Sequence, residues 1–449
     1  MTSPASRSWH PARLVTIGYG GAVVAGTLLL LLPASRTQGS GPDILVAAFT
    51  TVSAVCVTGL ITVDTASYWT PFGQSVILAL IHVGGLGVMA LATLLTIAVR
   101  GHLGLRTRLV AQAETHTSAV GDVRRVLLQM VLVLLSVEAV LTGVLALRFH
   151  QHYGHSWGSS WWLAFFHAGS AFNNAGFSLF SDNLVGLATD PVVILPICAA
   201  IVLGGLGFPV LRELAMRCRR RPGARRPRLS LHSTMTLWGT VVLLVLGIAC
   251  FWAFEGGGVL ASRPVGDQAL GAIAGSVFPR TAGFNSVDYG AVGEETKLVT
   301  ILLMFVGGGS AGTAGGIKIT TLMVLVFAVL AEVRGRSDVT VGPRRLPAVV
   351  LCQALAVSAL AAALVLGSTL LLTALTGLPV IDVSFEVVSA FATVGLSTGI
   401  TAGLPPTAQL VLMVLMFVGR VGTITVAAAL AMRATPPKFH YPKERPVVG

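Results

Sequence analysis

Four short segments carry residue types that can hold a cation without a charged ligand. Each consists of two uncharged residues, a glycine, and then leucine or phenylalanine. The four segments are Val57-Thr58-Gly59-Leu60, Asn174-Ala175-Gly176-Phe177, Thr281-Ala282-Gly283-Phe284 and Thr393-Val394-Gly395-Leu396. Glycine tolerates a backbone that turns carbonyl oxygens towards one point, and a ring of such oxygens can replace the hydration shell of a permeating ion. The pattern predicts a cation selectivity filter that binds the ion through carbonyl oxygens alone.

The spacing of the segments indicates an internal repeat. The four glycines lie 107 to 117 residues apart, and each is followed 24 to 28 residues later by a second glycine landmark. These landmarks are Gly84-Gly85, Gly204-Gly205, Gly307-Gly308-Gly309 and Gly419-Arg420. A serine also precedes three of the segments at the same distance, whereas the third segment has one residue more after Ser276. Two marks in register predict four unequal tandem copies of about 110 residues.

The stretch before each glycine segment is only 11 to 14 residues long, as in Pro42 to Val55. This length is too short to cross the hydrocarbon core, so the chain must enter the membrane and turn back. Non-helical backbone is tolerated at that depth only where it lines a cavity or is buried in protein. Each copy therefore predicts a span, a pore helix, a filter strand and a second span. The alternative for any single glycine is close packing of two helices.

The composition excludes a soluble enzyme and a nucleic-acid-binding protein. The chain has 449 residues, 54% of them hydrophobic and only 11% charged, with a mean hydropathy of +0.82. The net charge of +12 arises mainly from short loops on one predicted side, which the positive-inside rule makes cytoplasmic. We expect a multi-pass plasma-membrane protein with both termini in the cytoplasm. Arg280 and Glu386 are assigned to the external segments, whose acids would concentrate cations.

The predicted architecture is all-α: eight spans and four re-entrant pore helices surround one pseudo-fourfold pore. The predicted boundaries are listed here in chain order. They are a cytoplasmic N-terminus at 1–12, repeats at 13–100, 101–217, 218–333 and 334–432, and a cytoplasmic C-terminus at 433–449.

The third repeat contains a glycine-rich run inside an apolar span. Six glycines in ten residues would each cost roughly 1 kcal/mol against alanine in a helix, so the helix should break at 307–316. Two basic residues, Lys318 and Arg420, also lie within apolar spans, where an unpaired charge is costly. Snorkelling to the cytoplasmic interface is an alternative for Lys318, and a position in the pore is favoured for Arg420.

The filter segment at Arg280-Thr281-Ala282-Gly283-Phe284-Asn285 and the run from Gly307 to Lys318 resemble the Trk/Ktr/HKT potassium-transporter superfamily, especially its bacterial Ktr branch. The resemblance implies potassium uptake by a homodimer with one pore in each protomer. It also implies a separately encoded cytoplasmic ring of nucleotide-binding RCK-type subunits. In this superfamily, serine in place of the first filter glycine accompanies sodium permeability, so Gly59 favours potassium.

The resemblance further implies that the broken span is an intramembrane gate faced by a basic residue of the fourth repeat. The implied gate residues are Gly307, Gly308, Gly309, Ser310, Gly312, Thr313, Gly315, Gly316, Lys318 and Arg420. We expect lipid as surroundings, no bound cofactor, and sodium as a candidate activator.

Other classes remain as alternatives. A sodium-permeable or sodium-coupled cation transporter of the same superfamily is the first. An unrelated secondary transporter would explain broken helices, but its halves would be inverted. No catalytic spacing supports an enzyme. Glu138 is either a functional or a structural intramembrane acid, and His82 and His167 are expected to be packed or interfacial.

Overall fold

The computed structural model describes residues 11–37, 41–101, 119–218 and 228–422. The predicted C-terminus 433–449 and nearly all of the predicted N-terminus 1–12 lie outside these ranges. Regular structure within them is helical, apart from two isolated bridges and one hairpin in which β1 (Thr340–Val341) pairs antiparallel with β2 (Arg344–Arg345). The predicted all-helical fold class is confirmed.

A long helix, a short helix and a further helix recur in order along the chain. The first group is α1 (Pro11–Leu31), α2 (Ile44–Val55), the outer turn α3 (Thr65–Tyr68) and α4 (Pro71–Gly101). The second is α5 (Ala119–Gln151), α6 (Trp157–Phe172), α7 (Pro191–Leu206) and α8 (Phe208–Cys218). The third is α9 (Leu231–Glu255), α10 (Val265–Val277), α11 (Glu294–Phe305) and α12 (Ile319–Val333). The fourth is α13 (Ala348–Thr376), α14 (Val380–Phe391), α15 (Pro406–Phe417) and a π-helical turn, Val418–Gly422.

The four short helices α2, α6, α10 and α14 contain 12 to 16 residues. At 1.5 Å per residue they are shorter than the hydrocarbon core of about 30 Å. Local sequence sets where they begin. The side chain of Asp43 accepts from the amide of Leu45 at 2.8 Å to cap α2, and Pro264 and Pro379 precede the first residues of α10 and α14.

The short helices form the interior and the long helices form the outside. Each short helix or its end carries a phenylalanine with no exposed surface: Phe49, Phe166, Phe278 and Phe385. The long helices expose large apolar side chains instead, including Trp238 at 64% and Leu370 at 73%. A bilayer is the environment that suits such an exterior.

Three described helical segments are long and apolar enough to cross a bilayer: Leu127–Gln151, Leu231–Glu255 and Ala348–Thr376. The pair α7 and α8, bent by 106°, would add a fourth if it counts as one span. Shorter apolar helices occupy the other predicted span positions in the described ranges, among them Thr16–Leu31 and Ile319–Val333. The count of eight spans therefore stays a prediction.

Candidate ion pathway

The four filter glycines form a closed ring. A methyl group built on Gly59 would lie 3.2 Å from the Cα of Gly176, and one on Gly176 would lie 2.7 Å from the Cα of Gly283. The series continues from Gly283 to Gly395 at 3.2 Å and from Gly395 back to Gly59 at 3.0 Å. The loops therefore surround one axis in chain order, so the first and third lie opposite each other, as do the second and fourth.

Backbone carbonyls of the middle filter residues complete this ring. The same built methyl groups would overlap the carbonyl oxygens of Ala175, Ala282, Val394 and Thr58, each in the next loop around the ring. A side chain at any of the four glycines would therefore displace a neighbouring loop. The ring brings together eight of the twelve predicted filter residues, and the first residue of each segment leads into it. The eight are Thr58, Gly59, Ala175, Gly176, Ala282, Gly283, Val394 and Gly395.

All four loops share one backbone conformation. The first residue of each has a left-handed φ, between 50° and 66°, although none is glycine: Val57, Asn174, Thr281 and Thr393. The filter glycines also have positive φ, between 70° and 99°. A β-branched residue such as Val57 rarely adopts this conformation, and such strain persists only where the surrounding structure enforces it. Its recurrence in four loops indicates a common functional geometry.

Serine side chains and carbonyls tie the loops to their short helices. The amides of Thr58, Ala175 and Val394 each donate to the carbonyl of the serine five residues earlier, at 2.8 Å. Ser53 and Ser389 also accept, through Oγ, from the amides of Gly59 and Gly395 at 3.0 Å. In the third loop, which has one residue more, the amide of Ala282 donates to Phe278 instead, at 3.1 Å.

The second glycine landmark lets the following helix approach the filter. A methyl group on Gly84, Gly204 or Gly419 would overlap the carbonyl oxygen of the last short-helix residue, Val55, Phe172 or Phe391 respectively. Small residues at these contacts allow helices to pack this closely in a membrane. The landmark in the third repeat differs, because Gly307 lies against Gly315 within the broken span.

The helix of the third repeat is interrupted between α11 and α12. Residues 306–318, here called the intramembrane loop, form an irregular loop that is closed at its base, where Gly307 donates to the carbonyl of Ile317 at 2.9 Å. The loop also crosses to the second repeat, because Gly309 donates to Gly205 at 2.8 Å and Thr313 donates to Gly204 at 3.2 Å.

The intramembrane loop lies directly against the filter loops. A methyl group on Gly307 would lie 3.4 Å from the side chain of Thr281, and one on Gly315 would overlap Thr393 Oγ1. The hydroxyl of Thr313 donates to the carbonyl of Phe172 at 3.3 Å. The loop therefore contacts the short-helix ends or filter residues of the second, third and fourth repeats.

Two buried arginines and the half-buried Lys318 hold carbonyls of the intramembrane loop. Arg280 Nη2 donates to Gly307 at 3.1 Å, and Lys318 Nζ donates to Ala314 at 2.6 Å. Arg420 donates to Thr313 through Nη1 and to Gly84 through Nη2, the latter at 3.4 Å. Arg420 is 2% exposed and Arg280 is 7% exposed. A positive cluster thus lies beside the predicted cation path.

Arg280 was counted with the charges of the external segments, but it does not lie at the surface. Its side chain is buried at the filter end of the third short helix and faces the intramembrane loop. The sequence did not reveal this burial, because Arg280 follows a short apolar helix and resembles a flanking loop charge. The extra residue in the third filter segment was the available signal.

The remaining predicted gate residues lie in the same loop. Gly308 and Gly312 pack on Gly205, and Gly309 packs on Leu206. Ser310 Oγ lies 3.3 Å from Thr320 Oγ1, and Gly316 has a φ of 62°. The structure brings these residues together next to the filter, while their gating role stays a prediction.

Glu138 makes contacts with neighbouring helices. Its Oε1 lies 3.1 Å from Nε2 of His82 and accepts from Nδ2 of Asn173 at 3.1 Å. Asn173 directly precedes the filter residue Asn174. This cluster therefore holds the chain just before the second filter segment. Asn174 itself reaches the third loop, where its side-chain carboxamide forms a hydrogen bond with Thr281 Oγ1 at 3.3 Å.

Outside the filter, Asp64 links the first and second loops. Its Oδ2 accepts from Ser67 at 2.6 Å and from Ser181 at 2.7 Å. Burial alone would raise the pKa of Asp64, but these hydrogen bonds hold it below its usual range. The carboxylate is therefore negative at neutral pH, and it lies five residues after the filter glycine Gly59. In the described part of the chain, no group of His, Cys, Asp or Glu is arranged to hold a metal ion.

Comparisons with known proteins agree with this geometry. The model of the TrkH family, described as cation transport protein, matches residues 16–439. The chain is 37% identical to the Ktr system potassium uptake protein B of Bacillus subtilis, covering 94% of this chain and 93% of that protein. It is 32% identical to the potassium/sodium uptake protein NtpJ of Enterococcus hirae, covering 98% and 97%.

The fold also matches a solved structure. The crystal structure of the potassium transporter TrkH from Vibrio parahaemolyticus superposes with a TM-score of 0.70 at 18% identity, covering 97% of this chain and 87% of that one. These matches confirm the resemblance to the Trk/Ktr superfamily. The chain belongs to the TrkH family of cation transport proteins.

Proposed function

We propose that this chain is the pore-forming subunit of a Trk/Ktr-type potassium uptake system. The observation that carries the proposal is the closed ring of Gly59, Gly176, Gly283 and Gly395, in which carbonyls from each loop meet the next. The names of the relatives, potassium uptake protein B and potassium/sodium uptake protein, support potassium as the substrate.

The electrostatics suit a monovalent cation. Each short helix ends one or a few residues before its filter segment, so the negative ends of four helix dipoles face the ring. Carbonyl oxygens supply the remaining negative potential without a formal charge that would hold the ion too tightly. Permeation is therefore channel-like, with binding that is favourable but reversible.

The intramembrane loop is proposed to be the gate. Its contacts with Thr281 and Thr393 place it against the filter, and its carbonyls are held by Arg280, Lys318 and Arg420. These positive charges beside the path oppose cation entry while the loop is in place. Release of the loop would remove the steric block.

Assembly follows the family pattern in this proposal. We infer a homodimer in the plasma membrane, surrounded by lipid, with eight spans, the repeat boundaries given above and both termini in the cytoplasm. A cytoplasmic nucleotide-binding RCK-type ring would act on the intramembrane loop. The relatives' designation as part of a Ktr system supports a separate regulatory component.

The direct test is potassium uptake by cells that lack their own potassium transporters. Expression of the chain together with its regulatory ring should restore growth and uptake at low external potassium. Assays with and without sodium distinguish this potassium pore from the second candidate, a sodium-coupled or sodium-permeable transporter. The name of the Enterococcus relative favours that second candidate. Absence of potassium uptake in the presence of correctly inserted protein would refute the proposal.

A further inference from the structure

A buried glutamate fastens the chain just outside the fourth filter loop. Glu386 in α14 is 1% exposed, and its Oε1 accepts from the amide of Thr398 at 2.9 Å and from Ser397 Oγ at 2.7 Å. Its Oε2 hydrogen-bonds Thr401 Oγ1 at 2.6 Å. Among the described residues, no basic side chain pairs with this carboxyl group. Glu386 was counted with the acids of the external segments, but its side chain does not reach the surface.

A buried histidine holds the chain just after the second filter loop in a similar way. His167 in α6 has no exposed surface, and its Nε2 lies 2.9 Å from Ser178 Oγ and 3.4 Å from the amide nitrogen of Leu179. Its Nδ1 lies 2.7 Å from the carbonyl oxygen of Leu163. Because that carbonyl only accepts and the Leu179 amide only donates, the ring carries its proton on Nδ1 and accepts through Nε2.

The two arrangements are equivalent in register. His167 and Glu386 each lie nine residues before their filter glycine, and Ser178 and Ser397 each lie two residues after it. Each serine Oγ in turn accepts from an amide two residues further on, at 3.0 Å from Phe180 and 2.9 Å from Gly399. The same hydrogen-bond pattern is thus built twice around different acceptors.

The other two repeats lack this arrangement. The equivalent positions lie three residues before the serine of each short helix, and they are Thr50 in the first repeat and Ile273 in the third, because the extra residue of the third repeat follows Ser276. The hydroxyl of Thr50 is buried without a hydrogen-bond partner among the described residues, and isoleucine has no polar side-chain atom. Because the glycine ring runs in chain order, the second and fourth loops face each other across the axis. The fastened loops are therefore one opposed pair.

We propose that His167 and Glu386, the outer-loop anchors, are positioning residues that set the discrimination between potassium and sodium. The anchors hold the outgoing chain of two opposed loops against their own short helices. They thereby fix the distance between facing filter carbonyls, on which both the cavity size and the carbonyl field depend. The inference rests on the proposed function as a potassium pore.

The test measures sodium competition against potassium uptake in the transport-deficient cells, normalised to the amount of protein in the membrane. His167→Ala and Glu386→Ala should each lower potassium over sodium discrimination by about tenfold, the factor for losing about 1.4 kcal/mol of buried hydrogen bonding. Glu386→Gln should keep most of the discrimination, because its amide oxygen still accepts from the Thr398 amide.

Glu255 provides a matched control. It is a glutamate of equal burial, 2% exposed, and accepts from the amide of Gly293 at 3.0 Å and from Thr296 Oγ1 at 2.6 Å, at the start of α11 rather than beside the filter. Glu255→Ala should lower membrane abundance or thermal stability without changing ion discrimination. A purely structural role for the anchors would give them that same result.

Two milder variants keep the proposal testable if the alanine variants do not reach the membrane. Ser178→Ala and Ser397→Ala remove the outer hydrogen-bond partners and leave both anchors in place, so discrimination should fall in the same direction by a smaller factor. Wild-type discrimination in these serine variants, or in the inserted anchor variants, would overturn the proposal. No potassium uptake by the wild-type chain would instead overturn the proposed function.

Discussion

Arg420, in the π-helical turn after α15, donates a hydrogen bond to the carbonyl of Thr313 in the intramembrane loop, 107 residues earlier in the chain. The bond joins the last repeat to the broken span of the third. Because the guanidinium is 2% exposed, the contact is made in a low-dielectric interior where a charge-assisted hydrogen bond is strong. This hydrogen bond holds the proposed gate in the position that the structure describes.

Removing the side chain of Arg420 should open the pathway. Arg420→Ala removes a charge-assisted hydrogen bond of about 1.5 to 3 kcal/mol and a fixed positive charge, so maximal potassium flux should rise by about tenfold or more. The apparent affinity for potassium should stay near wild type, because the filter ring is unchanged. Initial-rate uptake over a range of potassium concentrations measures both quantities.

A matched control for this variant is Arg148→Ala, which breaks the 2.7 Å ion pair with Asp190 away from the intramembrane loop. Its flux per molecule should equal that of the wild type. Wild-type or reduced flux in Arg420→Ala, with the protein inserted in the membrane, would mean that the intramembrane loop is structural.

Arg280 should behave differently from Arg420. It directly precedes the filter residue Thr281 and also holds Gly307, so it joins the filter to the intramembrane loop. Arg280→Gln should therefore change both the maximal flux and the apparent potassium affinity. The same uptake assay separates the two parameters, and an effect on flux alone would assign Arg280 to the gate without a role in the filter.

The filter glycines should not tolerate a side chain. Gly59→Ser places an atom against the Ala175 carbonyl at a φ of 96°, so we expect lost potassium discrimination with the helices still assembled. Gly143→Ser in α5 is the control, because a methyl group there meets nothing within 4 Å. Equal sodium competition in both variants would argue against the ring as the selectivity filter.

The proposed orientation makes the filter external and the β-hairpin cytoplasmic. In a parent without its five cysteines, Ser262→Cys should react with an impermeant thiol reagent added to intact cells. Ser337→Cys, also at an exposed position, should react only after the membrane is permeabilised. The opposite labelling pattern would invert the topology.

Much of this arrangement was predictable because four copies of one unit reveal their register. The glycine segments meet in one ring, and in the first, second and fourth repeats the second landmark lies where the following helix approaches the short-helix end. The helical break followed from the cost of six glycines in ten residues. Repetition thus made local signals informative about distant contacts.

Side-chain burial was less predictable than backbone register. Arg280 follows a short apolar helix and Glu386 lies within one. A charge at either place is counted with the external segments whether its side chain points to water or into the protein. His167 was expected to be packed or interfacial, and the shared pattern only becomes visible when the short helices are aligned on their serines. The position three residues before each serine then reads threonine, histidine, isoleucine and glutamate.

The central claim is that the ring of Gly59, Gly176, Gly283 and Gly395 forms a potassium-selective pore. Its most direct test is the reversal potential of the purified chain in liposomes, with potassium on one side and sodium on the other. The account predicts a passive current whose reversal potential follows the potassium gradient and shifts towards zero in Gly395→Ser. A wild-type current that does not distinguish potassium from sodium, or no passive current at all, would contradict it.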